Sequence, residues 1–149
     1  MRSQEPKVMI RVMTMKDYAA VLALWKDGNI PSRPKGRDSK KNIASQLQQP
    51  NCYFLVAVSG GKIIGAVVGT HDGRKGWINR LVVASSYQKK GIGRRLVATV
   101  EQYFSAQGID IVACLIEEWN TVSMKVFEQL GYTKHTDIFY YSKRKSPKT

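Results

Sequence analysis

The 149-residue sequence predicts a mixed α/β domain whose central twisted sheet is mostly antiparallel, with one parallel crossover and flanking helices. Three observations carry this prediction. Two β-branched runs in the first half are joined through Ser59-Gly60-Gly61, the composition of a tight hairpin turn. A later run, ending in Leu81-Val82-Val83, breaks into a short glycine-containing loop that opens directly into an amphipathic helix. That helix is followed by the near-continuous apolar run 109–116, the pattern of a strand buried on both faces, which calls for a parallel crossover.

The elements follow in order. Residues 8–14 read as an opening strand, and Met15-Lys16-Asp17-Tyr18 starts a helix with Val21, Leu22, Leu24 and Trp25 on one side, ended by Gly28. Residues 29–37, with Pro31, Pro34 and Gly36, form a breaker-rich basic loop. Asp38 or Ser39 caps a second helix carrying Ile43, Ala44 and Leu47, closed by Pro50. Strands at 53–58 and 62–69 make the hairpin, and a turn at 71–76 leads into the strand 77–84. Ile92, Leu96, Val97, Val100 and Phe104 then define a helix to about Gln107, stopped by Gly108. The strand 109–116, a helix over 120–130 ended by Gly131, and a final strand 133–142 complete the order β-α-α-β-β-β-α-β-α-β. One domain over 1–142 with a basic flexible tail at 143–149 is expected, because the chain is too short for two ordinary cores.

The formal charge of +13 is concentrated in Arg33, Lys35, Arg37, Lys40 and Lys41, in Lys89, Lys90, Arg94 and Arg95, and in Lys143, Arg144, Lys145 and Lys148. No aromatic-rich RNA-binding signature accompanies it. Solvation together with attraction of a polyphosphate cofactor therefore accounts for it, with a ribosome- or RNA-associated role as the alternative. No apolar run approaches the ~20 residues that span a bilayer, and no apolar leader segment precedes small residues, so a cytoplasmic protein without membrane contact is expected. Cys52 and Cys114 make no metal-ligand spacing, read as buried free thiols, and leave no metal site to predict.

The loop Gln88-Lys89-Lys90-Gly91-Ile92-Gly93-Arg94 has the chemistry of a phosphate cradle. Loop amides and the first unpaired amides of the helix can face one anion, glycine removes side chains that would block it, and four cations surround the spot. A Walker loop is excluded because Arg94-Arg95 stands where Lys-Ser/Thr would be needed. A dinucleotide fingerprint is excluded because Leu96 stands at the third glycine.

What remains is Gln-x-x-Gly-x-Gly after an L-V-V strand, together with Asn120-x-x-Ser123-x-x-x-Phe127-Glu128-Gln129-Leu130-Gly131-Tyr132 further on. These two motifs, in this order, resemble those of the GNAT N-acetyltransferase superfamily. Within it, Leu24-Trp25, Asp72-Gly73-Arg74-x-Gly76-Trp77 and Gly131-Tyr132 resemble the small bacterial acetyltransferases of the YpeA type. The resemblance covers about residues 8–141. It implies the GNAT fold, acetyl-coenzyme A as co-substrate, and direct transfer of the acetyl group to a primary amine. It also implies that Leu81, Val82 and Val83 pair with the pantetheine arm and that Gln88, Lys89, Lys90, Gly91, Ile92, Gly93 and Arg94 wrap the pyrophosphate. Asn120, with Ser123 and Phe127, would contact the pantetheine end, and Asn120 is equally suited to cap a helix.

Catalytic groups are harder to assign. Many relatives place a tyrosine acid where this chain has Phe127, and glutamate bases where it has residues near Trp77 or Leu115. The base candidates are Glu117 and Glu118, His71 and Asp72, or a water chain; the phenols available as acids are Tyr132, Tyr140 and Tyr141. A non-catalytic acyl-coenzyme A sensor is the alternative of another class. The basic loop 33–41 borders the acceptor site in the family, which suggests an acidic small-molecule or protein amine as partner; exposed strands also suggest a homodimer.

Overall fold

In the computed structural model, which describes residues 7–149, the hairpin turn forms as its glycines require. Ser59 faces Lys62, and Gly60 and Gly61 take φ of 55° and 76°, the paired left-handed conformation of a two-residue hairpin. The strands are β1 (Val8–Val12), β2 (Cys52–Ser59), β3 (Lys62–His71), β4 (Lys75–Val83) and β5 (Ile111–Ala113), in that spatial order. β1 to β4 pair antiparallel, and β4 with β5 is the parallel pair. The helices are α1 (Tyr18–Asp27), α2 (Lys40–Leu47), α3 (Ile92–Ala106) and α4 (Thr121–Gln129), with a short 3-10 turn at Met15–Asp17 ahead of α1. This is a mixed α/β, mostly antiparallel sheet with one parallel pair and flanking helices, the architecture the resemblance implies.

Alternation along the strands separates two apolar layers. Leu55, Ala57, Ile64, Val67 and Ile78 pack with Leu96, Val97, Val100 and Phe104 of α3 and with Phe127 of α4. Phe54, Val56, Ala66 and Val68 pack on the other face with Val21, Leu24 and Trp25 of α1 and Ile43 of α2. α3 lies close to the sheet because Gly69 and Gly76 leave room for it; a Cβ on Gly76 would stand 2.6 Å from the Phe104 ring.

One open choice is decided and two expectations are corrected. Ser39, not Asp38, caps α2, its hydroxyl accepting from the Asn42 amide at 3.2 Å. Asp38 is drawn away by a stronger partner described below. The strand 109–116 shrinks to three residues, and it is an edge rather than a doubly buried strand, with Ile111 60% exposed. It has β4 on one side and, among the described residues, no strand on the other. Residues 133–142 form no strand, and Ile138, Phe139, Tyr140 and Tyr141 are exposed. The ladder they would join ends at Ala113, and Thr133-Lys134-His135-Thr136-Asp137 offers no alternating apolar face to recruit a partner.

Candidate functional site

β4 contains the local irregularity that organises the site. Val68 faces Asn79 and Ala66 faces Val82, so Arg80 and Leu81 together oppose Val67 in a β-bulge. The extra residue resets the strand's parity, which is why Ile78 and Leu81, three apart, both point into the α3 layer. Arg80 takes φ of 55°, a left-handed conformation that strains a residue with a Cβ by about 1 kcal/mol.

Arg80 is held there by Asp38. Its guanidinium donates to both carboxylate oxygens, at 2.7 Å and 3.0 Å, and lies 4.5 Å over the Trp25 ring. Asp38 is 3% exposed and also accepts from the Arg33 amide at 2.7 Å, while its carbonyl accepts from the Tyr18 hydroxyl at 2.6 Å. Burial pushes the Asp38 carboxyl up, but the Arg80 and Arg33 hydrogen bonds and the charges of Arg80 and Arg37 outweigh it and hold it below the ordinary carboxylate range. The pair staples loop 28–39 to the bulge.

The sheet opens two residues before the bulge. Lys75, Gly76 and Trp77 pair with β5, but from Ile78 to Val83 β4 keeps β3 on one side only. An open edge of this kind is a template for an extended ligand with amide groups. The gap between the diverging β4 and β5 is a cavity of ≈ 600 Å³ that reaches both faces of the sheet. Its walls include Ile78, Asn79, Arg80 and Leu81 of β4, Leu115, Ile116 and Glu117 after β5, and Asn120, Ser123 and Phe127 at α4. Ile30, Pro31 and Arg37 of the basic loop close one side, with Tyr140 and Arg144 from the C-terminal segment. A second cleft, ≈ 460 Å³, lies beside α1 and is lined by Lys26, Asn29 and Ser32 among apolar residues.

The glycine loop stands at the end of the open strand. Lys89 and Gly91 take φ of 63° and 79°, so the chain turns sharply into α3. Gly91 is the N-cap and offers no side chain to the first-turn amides, which are left for an anion. Space is open there, since a Cβ on Gly91 would meet only Arg94 Nη2, at 3.8 Å. Lys89, Lys90 and Arg94 are exposed around it. These residues fit a pyrophosphate. Gln88 shapes the loop, its side-chain nitrogen donating to the Val83 carbonyl at 3.0 Å. Gly93 and Ile92 are buried, and Gly93 admits α4, its Cβ position lying 3.5 Å from Val126.

Of the residues singled out from the sequence, Leu81, Asn120, Ser123, Phe127, Glu117 and Tyr140 share the cavity wall. Val82 faces the α1 layer, and Val83 packs at the edge of the α3 layer. Asn120 caps α4, accepting from the Ser123 amide at 3.1 Å, which leaves its NH2 group free to donate. Glu118 and Tyr141 are exposed and stand outside the wall. Tyr132 is committed elsewhere: its hydroxyl donates to Glu101 of α3 at 3.0 Å, and burial together with that carboxylate pushes its pKa far up. His71 and Asp72 serve the β3–β4 turn, His71 Nδ1 accepting from the Gly73 amide and Asp72 from the amides of Arg74 and Lys75. Burial raises the Cys114 thiol to about 11 and also raises Cys52.

Sequence reasoning missed Arg80, Asn79 and Arg144 as lining residues. The available signal for Arg80 was a lone cation inside the apolar run 77–84.

The model of the acetyltransferase (GNAT) family matches residues 18–132. Among solved structures, the aminoglycoside N-acetyltransferase AAC(6')-Iy in complex with coenzyme A is similar at 21% identity and a TM-score of 0.79, covering 97% of this chain and 99% of that one. The PaiA N-acetyltransferase of Thermoplasma acidophilum, also solved with coenzyme A, is similar at 18% identity and a TM-score of 0.72, covering 83% and 88%. A ribosomal-protein-alanine N-acetyltransferase of Brucella melitensis biovar Abortus is similar at 17% identity and a TM-score of 0.69, covering 93% and 99%. These likenesses concern the fold, while the family match spans the bulged β4, the glycine-capped α3 and the Asn-capped α4 alike; the chain belongs to the GNAT acetyltransferase family.

Proposed function

We propose that the protein is an acetyl-coenzyme A-dependent N-acetyltransferase that acts on a primary amine by direct attack, in a ternary complex. The observation that carries the reading is the continuity of an open strand edge, 78–83, with a helix N-terminus capped by glycine in the left-handed conformation. Such a track offers backbone hydrogen bonds to an amide-containing arm and ends in an anion site. The neighbours solved with coenzyme A support the same ligand. Placement in the YpeA-like branch is part of the proposal and rests on the motifs quoted from the sequence.

Bound acetyl-coenzyme A supplies the acetyl group as a thioester. The cavity holds the amine in line with that group, which by itself supplies much of the acceleration. Glu117, on the wall of the cavity, takes the ammonium proton directly or through one water, freeing the nitrogen lone pair; the new N–C bond forms, the C–S bond breaks and the thiolate leaves, and the surplus proton of the new amide nitrogen passes to water. Backbone amides of the open β4 edge stabilise negative charge on the acetyl oxygen. Phe127 cannot return a proton to the thiolate. The phenol that shares the cavity is Tyr140, so proton return falls to it or to water.

The test is release of free thiol from acetyl-coenzyme A with a panel of primary amines, at several pH values. Glu117→Gln should lower kcat roughly 10²-fold near neutral pH and lose less at high pH, while Glu118→Gln and Tyr132→Phe change it little. Coenzyme A binding without turnover on any amine would favour the sensor alternative, to which the missing phenol at Phe127 also points.

A further inference from the structure

The acceptor side of the cavity is electrically polarised. On the wall built by loop 28–39 and the β4 bulge, two guanidiniums meet one carboxylate: Arg80 at 2.7 Å and Arg37 at 3.8 Å from Asp38. That wall keeps a net charge of about +1. Asp38 cannot turn outward to cancel it, since it is 3% exposed and tied to the Arg33 amide. Arg80 has its fork committed to Asp38 and one face on Trp25, which leaves the exposed Arg37 as the cation able to close on a ligand. Arg144, from the C-terminal segment, also lines the cavity, but its guanidinium donates to the Thr149 main-chain oxygen at 2.7 Å. Among the described residues that line the cavity the carboxylate is Glu117, which lies in the segment after β5, across from the arginine wall.

Resting on the acetyltransferase reading above, we infer that the acceptor is an amine that also carries a carboxylate, an amino-acid-like zwitterion. Its nitrogen lies toward Glu117 and its carboxylate toward Arg37. A single negative charge matches the surplus on the arginine wall. A polycationic amine would find Glu117 for one of its charges and, for the others, an arginine wall whose surplus is positive, and is disfavoured there.

The experiment compares free amino acids, their carboxamides, spermidine and kanamycin as acceptors, with acetyl-coenzyme A fixed. Carboxamides expose more unprotonated amine at neutral pH, so reactivity alone favours them; a preference for the acid reports recognition. The expected result is a kcat/KM for the best amino acid at least ~10-fold above that of its amide and of both polycations. Arg37→Gln should collapse this ratio through the acceptor KM, leaving coenzyme A affinity unchanged. Amides or polycations used as well as the acids, or a ratio untouched by Arg37→Gln, would overturn it. Coenzyme A binding is measured separately by thermal shift. If it binds and nothing turns over, calorimetric titration of the coenzyme A-loaded protein with phenylalanine and phenylalaninamide decides: acid-selective binding lost in Arg37→Gln supports the inference, and equal or absent binding overturns it. If coenzyme A does not bind, the acetyltransferase reading fails first and the inference with it.

Discussion

From Leu81 to Arg94 the cleft presents mainly backbone groups of one continuous segment, whereas its other end takes Arg37, Arg80, Glu117 and Arg144 from four separated stretches of the chain. The first end works through strand amides and a helix terminus, which every residue type supplies; its demands on sequence are conformational and fall on Gly91. The second works through side chains, and its demands are chemical. On the proposed acetyltransferase reading, changing the acceptor end need not move the cofactor end, so that one scaffold can keep one co-substrate and serve many acceptors.

The largest effect is expected where the backbone end depends on a special conformation. Gly91→Val forces a β-branched residue to φ of 79° and fills the anion site, so coenzyme A affinity should fall at least ~100-fold by calorimetry. Gly93→Ala should bind normally, because its Cβ would make only ordinary contacts with Val126 and Leu81. Equal affinity of the Gly91→Val variant and wild type would break the contrast between the two ends.

A smaller effect, on stability, is expected at the acceptor end. Asp38→Asn leaves Arg80 without its counter-charge in a strained conformation and should cost about 3 kcal/mol, read as a lower Tm, with coenzyme A affinity kept. The Asp38 carboxyl is held below its unfolded value, so its contribution is complete above about pH 4 and disappears as pH falls through the acid range. The Tm gap between wild type and Asp38→Asn should therefore be constant near neutrality and narrow below about pH 4. Asp17, lowered to about 2 chiefly by hydrogen bonding to Arg11, adds an acid-side loss common to both proteins. A gap that widened in acid would reverse the assigned sign.

The smallest effect belongs to the exposed cations of the loop. Replacing Lys89 and Lys90 together by alanine should weaken coenzyme A binding by roughly 3- to 10-fold at low ionic strength, and the difference should shrink in high salt because exposed charges are screened. A salt-independent loss would mean that these lysines shape the loop instead of attracting the ligand, and would blur the distinction between backbone and side-chain recognition.

Elements with a strong local signal were legible. The two-residue hairpin at Gly60-Gly61, the apolar face of α3 and the glycine-capped loop follow from residues within a few positions of one another, and they came out where the sequence placed them. The final strand at 133–142 did not form, because strand formation needs a partner edge and β5 ends at Ala113. Asp38 looked like a helix cap as good as Ser39, and only a partner 42 residues away, Arg80, decided between them.

The sequence by itself determined the fold class, the family resemblance and the glycine-capped loop ahead of α3, since hydrophobic period, turn residues and helix termini are short-range properties of the chain. The tertiary structure alone decided the β4 bulge that turns Arg80 toward Asp38, the parting of β4 from β5 that opens the cavity, and the choice of Glu117 over Glu118 and of Tyr140 over Tyr132 as residues facing it. Each depends on which distant segments meet across the sheet, and side-chain chemistry at a site is a property of that meeting.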